Sequence, residues 1–165
     1  MIINQNSLLG AAPIKNMLRT KEKANGVSHG LSEAGLDIRI KQEIVFTPRK
    51  KFGDVDLITM DGVPTSGRFT IASAIEEFDM PSYLVGIVHD KSTWARKGLS
   101  VFNTVIEPGW KGFLTLELVY HGSEQLIIPA GSGIAQVVFH ATSDNVLYSG
   151  KYDNQPDRPV EAIES

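Results

Sequence analysis

LDIRIKQEIVF, residues 36–46, is the stretch on which the fold turns. Leu36, Ile38 and Ile40 alternate with Asp37, Arg39 and Lys41, and a period of two puts one set on each face of a strand. A helix would need its apolar residues three and four apart. Asp37 and Arg39 therefore share the polar face, where the pattern favours a solvated charge pair.

Outward from this stretch, similar runs recur. DLITM (56–60), RFTIASAIEEF (68–78), YLVGIVH (83–89), FLTLELVY (113–120), EQLIIP (124–129) and GIAQVVFHA (133–141) are short, and Gly or Pro bounds many of them. The unbroken apolar character of YLVGIVH suits a strand covered on both faces. Earlier, residues 7–19 (SLLGAAPIKNMLR) allow a short N-terminal helix, with Pro13 near its first turn or at a kink. Residues 21–35 and 61–67 are polar or Gly-punctuated and read as loops, and PRKKFGD (48–54) reads as a basic turn. The tail, about 144–165, is polar and Pro-bearing, so it is expected to be mobile or folded only against something. Many short strands with one helix at the start predict an all-β sandwich or jelly roll, in a single domain spanning residues 1–165.

Composition narrows the function. The 165 residues are 42% hydrophobic and 21% charged, with a formal charge of −3, which gives no general attraction to nucleic acid or to an anionic membrane. No apolar run approaches the roughly 18 residues that span a bilayer, and the first residues lack the order of a secretion signal. A cytoplasmic protein is the expectation. With no cysteine there is no disulfide and no thiolate zinc site, and zinc deaminases need a Pro-Cys-x-x-Cys. His29, His89, His121 and His140 lack ligand spacing, and no Walker A or Gly-x-Gly-x-x-Gly pattern occurs.

Residues 91–117, KSTWARKGLSVFNTVIEPGWKGFLTLE, carry the residues most suited to chemistry. Lys91, Ser92, Thr93 and Arg96 gather two cations and two hydroxyls within six residues. Asp90 or Ser92 would cap one helical turn, STWARK, which Gly98 would end. Such a turn can receive an anion, although ordinary capping explains most of the same residues. Glu107, Pro108 and Gly109 then reverse the chain. In the strand that follows, Leu114, Leu116 and Leu118 fall on one face, and Thr115, Glu117 and Val119 on the other. Glu117 either points to water or, if a pocket lies on that face, is a candidate general acid and base.

KSTWARKGL and EPGWKGFLTLE together resemble the core of the dCTP deaminases, in the dUTPase-like superfamily. Four further segments resemble that family in the same order: GLSEAGLDIRI, MPSYLVGIV, AGSGIAQVVF and, in the tail, YSGKYDNQ. The resemblance implies a distorted jelly roll of the β-clip type, and hydrolysis of the exocyclic amine of dCTP to dUTP and ammonia without zinc. It places Glu117 as the residue activating water, and Ser92 and Arg96 as supports for base, water and phosphates. Lys91 and Thr93 fall in the triphosphate-binding turn, Glu107 at the sugar, and Thr115 and Leu116 at the base pocket. Tyr148, Lys151 and Gln155 match tail residues that close over the nucleotide as a lid. Magnesium accompanying the triphosphate and a homotrimer with sites between subunits are also implied. A bifunctional enzyme carrying dCTP to dUMP uses largely the same residues. A dUTP diphosphatase and a non-catalytic nucleotide-binding regulator are the other readings, and dUTP or dTTP are candidate partners beside dCTP. Two departures stand out: Asp90, where the family usually has glycine beside the phosphates, and the tail's Asp153, Asn154 and Pro156 around Gln155.

Overall fold

The computed structural model describes residues 1–48, 55–102 and 104–164. Strand β1 (Ile2–Ile3) and helix α1 (Gln5–Ala11) precede β2 (Lys21–Ala24), β3 (Val27–Leu31), β4 (Leu36–Arg39) and β5 (Ile44–Thr47). Next come β6 (Leu57–Met60), β7 (Val63–Ser66), β8 (Phe69–Asp79), β9 (Leu84–Asp90) and the short helix α2 (Ser92–Ala95). The remaining strands are β10 (Leu99–Val101), β11 (Val105–Ile106), β12 (Lys111–Tyr120), β13 (Leu126–Ile128) and β14 (Gly133–Ala141). One sheet runs β11-β9-β14-β4-β3-β2 with β1 added to β14; the others run β10-β12-β8 and β13-β5-β6-β7. The architecture is all-β with a short N-terminal helix, as the alternation predicted.

Strand β4 shows how alternation becomes packing. Its Leu36 and Ile38 are fully buried and share one core with Phe46 of β5, Ala72 of β8, Leu116 and Leu118 of β12, and Phe139 of β14. The other face of β4 is covered too at Asp37, which is 4% exposed beneath Lys91 and Ser28. Asp37 is accordingly buried against Lys91, while Arg39 donates from its side chain and its backbone N–H to Glu76. The expected solvated pair is thus two separate ion pairs. One strand's pattern does not reveal whether neighbours cover its polar face.

Both stretches read as loops contain strands. Residues 21–35 include the β2–β3 hairpin, turned by Asn25 and Gly26 with φ of +51° and +77°. Positive φ at two successive residues is the twist that a two-residue hairpin turn requires, and Asn-Gly supplies it at low strain. Asp61 and Gly62 do the same between β6 and β7. Helix α1 ends earlier than expected, at Ala12 in a left-handed conformation, because the residue before Pro13 is kept out of the right-handed helical region. The basic turn expected over 48–54 lies, apart from Pro48, outside the described residues.

Strand β12 pairs with β8 along its length and with β10 near its end, so its side chains must divide between the core and the opposite face. Its register shifts between Phe113 and Thr115, which interrupts the alternation at Leu114. No helix among the described residues is long and apolar enough to cross a membrane. Leu116, 1% exposed, anchors β12 in the core. Leu116→Ala is expected to lower stability by about 2–4 kcal/mol in urea unfolding; a loss under about 1 kcal/mol would contradict this core assignment.

Candidate active site

A cavity of about 430 Å³ opens on the face of β12 away from the core. That volume lies within the range of small-molecule sites. Phe69 and Ile71 of β8 form one wall, and Thr104, Val105, Ile106 and Glu107 form another. Leu114, Thr115 and Glu117 of β12 line its floor, with Trp110 beside them. Leu114 belongs to the core with Leu116 and Leu118, as expected, and beside the register shift it also lines the cavity.

Glu117 sits opposite Ile71 across the β12–β8 pair, in a largely apolar setting. Its Oε2 is buried and has no hydrogen-bond partner among the described residues. Burial pushes its carboxyl above the ordinary glutamate range, against the opposing effect of a backbone hydrogen bond. Glu117 lines the cavity, and a buried carboxyl oxygen without a partner is one that a ligand or water admitted there would satisfy.

The tail forms the remaining side. Val146 N–H donates to Ser82 O (2.9 Å), Tyr148 N–H to Pro108 O (2.7 Å) and Trp110 Nε1 to Tyr152 O (2.6 Å). Gln155 lies beside Gly112 in a parallel bridge, and Phe113 N–H donates to its carbonyl (3.1 Å). Gly112 permits this approach: a Cβ there would stand 2.5 Å from Gln155 N. Thr115 Oγ1 donates to Gln155 Oε1 (3.3 Å) and accepts from Val160 N–H (3.1 Å). The tail, expected to be mobile or folded only against something, is here folded against its own chain.

The predicted site residues divide into two groups. Glu117, Thr115, Glu107, Tyr148 and Gln155 all line the cavity. Glu107 also accepts the N–H of Trp110 (3.1 Å) through its carbonyl, closing the expected Pro-Gly turn. Leu116 points into the core. Lys151 lies outside the lining, donating to Ile163 O and resting 5.5 Å from the Tyr152 ring. Ser92, Thr93 and Arg96 are exposed on α2 and the turn after it, and they do not line the cavity. Lys91 is buried on Asp37.

Neither Asp90 nor Ser92 caps α2: Lys91 holds the cap position without a side-chain bond, and Asp90 accepts Val101 N–H (2.7 Å). Gly98 does end the turn, at φ +91°. Ile71, Trp110 and Tyr152 are walls that the sequence did not single out. Ile71 was legible only through register, as the partner of Glu117 on a neighbouring strand.

A group whose folded-state pKa is raised favours folding while protonated, and that contribution fades as pH rises through the raised value. At neutral pH, above the ordinary glutamate range, Glu117 therefore opposes folding relative to a neutral side chain of the same shape. Glu117→Gln is expected to raise the melting temperature at pH 7, by an amount that shrinks as pH falls to 4. A melting temperature lowered equally at both pH values would contradict the buried, unpartnered carboxyl.

Comparison with known proteins adds an independent line. Residues 8–142 match the dCTP deaminase-like family model. The dCTP deaminase of Nautilia profundicola is 34% identical over 146 residues, covering 78% of each chain. That of Campylobacter jejuni strain RM1221 is 37% identical over 124 residues, covering 68% of this chain and 67% of its own. Among solved structures, the 2'-deoxycytidine 5'-triphosphate deaminase of Agrobacterium tumefaciens superposes with a TM-score of 0.57 at 15% identity, over 86% of this chain and 48% of that one. The EIAV dUTPase superposes with a TM-score of 0.52 at 18% identity, over 86% and 92%. These two likenesses show a dUTPase-like fold, and the sequence matches show that the chain belongs to the dCTP deaminase-like family.

Proposed function

We propose that this protein is a dCTP deaminase that hydrolyses the exocyclic amine of cytosine without zinc, giving dUTP and ammonia. The carrying observation is the Glu117 carboxyl, with a buried and unbonded Oε2 in a cavity large enough for a nucleoside. Water must lose a proton as its oxygen adds to C4, and the amine must gain one as it leaves the tetrahedral carbon. One positioned glutamate can do both, and a pKa raised towards working pH suits a group that both accepts and returns the proton. In this reading Thr115 contacts the base, Glu107 the sugar, and Tyr148 and Gln155 close the nucleotide in. Lys151, beside Tyr152, belongs to the same closing segment.

The triphosphate needs cations, and among the described residues lining the cavity there is no Lys or Arg, while Glu107, Glu117 and Glu161 are present. Arg96, Ser92 and Thr93 stand exposed elsewhere on the same chain. This separation favours a homotrimer in which the cavity of one copy is completed by the turn of the next. Arg96 and Ser92 of that neighbour would then meet the phosphates, base and water. Magnesium arrives with the triphosphate in this proposal, coordinated by the phosphates. Among the described residues no group of three His, Asp or Glu side chains is placed to hold a metal ion, and the proposal assigns the ion no protein ligand. A cytoplasmic location belongs to the same proposal.

Incubation of the purified protein with dCTP and magnesium, with products resolved by chromatography, tests the reading. Accumulating dUTP and ammonia are expected; unchanged dCTP overturns it, and direct appearance of dUMP would add a diphosphatase step. Glu117→Gln is expected to lower kcat by about 10³-fold or more while leaving dCTP binding within a few-fold. Retained turnover in that variant would remove Glu117 from its role.

A further inference from the structure

We infer that Lys91 is an internal latch for the turn carrying Ser92, Thr93 and Arg96, and that Asp37 is its positioning partner; Lys91 is not a ligand of the phosphates. The inference rests on the proposed dCTP reaction and specifies how one part of that site is held. Lys91 Nζ donates to Asp37 Oδ2 at 2.5 Å and to Ser28 Oγ at 3.1 Å. The Lys91 and Asp37 side chains are 10% and 6% exposed. Ser28 Oγ in turn donates to Asp37 Oδ2 at 3.4 Å, so the three groups form a closed set beneath the surface.

The placement gives this cluster leverage. Lys91 follows β9 directly and is the N-cap of α2, whereas Asp37 lies on β4. Strand β14 runs between β9 and β4, with Ala135 in register with both Asp90 and Ile38, so the ion pair bridges two strands across a third. The exposed side chains of Ser92, Thr93 and Arg96 form no hydrogen bond that would fix them to the rest of the fold among those described. Their backbone is fixed by buried neighbours: the Lys91 pair, and Trp94, whose Nε1 donates to Gly133 O at 2.6 Å. A turn that offers side chains to a ligand outside its own chain needs such anchors, because loose donors lose affinity when they are ordered on binding. A lysine so placed already has its charge matched, and moving it to a phosphate would leave the buried Asp37 without its cation.

The two roles for Lys91 predict opposite effects of Asp37→Asn. The latch predicts that KM for dCTP rises by about tenfold, since Lys91 loses its anchor and the turn loosens. A direct phosphate ligand predicts an unchanged or lower KM, because the lysine is released towards the substrate. The paired change Asp37→Asn with Lys91→Gln replaces the ion pair by two neutral amides. The latch predicts that KM returns towards the wild-type value, whereas a direct ligand leaves the double variant as poor as Lys91→Gln alone. If Asp37→Asn does not fold, Ser28→Ala removes one bond from the cluster, and the latch predicts a two- to threefold rise in KM, by an order-of-magnitude reading of one lost hydrogen bond, roughly. Amide hydrogen exchange at Trp94 and Arg96, which donate to Lys91 O and Ser92 O, is expected to accelerate in Asp37→Asn whether or not dCTP is turned over. Wild-type protein inactive on dCTP would overturn the functional reading, and unchanged exchange in the variant would overturn the latch.

Discussion

Everything at the candidate site follows from how β12 is buried. Its Leu116 and Leu118 sit in the core, pressed there by pairing with β8 and β10. A strand cannot bury those residues without turning Glu117 to its other face. On that face Glu117 lines an open cavity with Ile71, Phe69 and Trp110, and no group among the described residues is bonded to its Oε2. A hydrophobic requirement of the fold thereby places an acid where burial raises its pKa. The raised pKa opposes stability at neutral pH, a familiar property of functional groups that are held ready for a ligand.

The second feature is a separation of apolar and cationic surfaces. The cavity offers rings, aliphatic side chains and carboxyls, which suit a base and sugar but repel phosphates. The turn after β9 offers Arg96 and two hydroxyls on an exposed surface, anchored from below by the Lys91 pair and Trp94. The tail adds the closing wall through backbone bonds to residues 108–113 and through Thr115. In the proposed reaction neither part alone suffices for a nucleoside triphosphate, and the proposed trimer would join them.

Alternation in residues 36–46 and 113–120 was enough to read the all-β fold, because a strand's period depends only on its own side chains. The hairpins at Asn25-Gly26 and Asp61-Gly62 were also legible, since both dipeptides favour the turn that forms; the polar residues around them obscured the strands. The burial of Asp37 was not legible. It depends on Ser28 of β3 and on Lys91, which arrives from a segment more than fifty residues away. Glu117 stood out as a charge in an apolar strand, yet its cavity is made by β8 and the tail. The same limit applied to Lys91, whose position in the sequence resembles a phosphate contact and whose side chain is buried inside the fold.

The account's central claim is that Glu117 of one copy works with Arg96 of another. Mixing Glu117→Gln protein with Arg96→Ala protein, after dissociation and reassembly, tests it directly. Each variant alone should be inactive on dCTP, and a one-to-one mixture should recover about a quarter of the wild-type activity, because random assembly joins two intact halves at about one interface in four. No recovery from a mixture shown to have exchanged subunits would contradict the claim, and would place both residues in a site within a single chain.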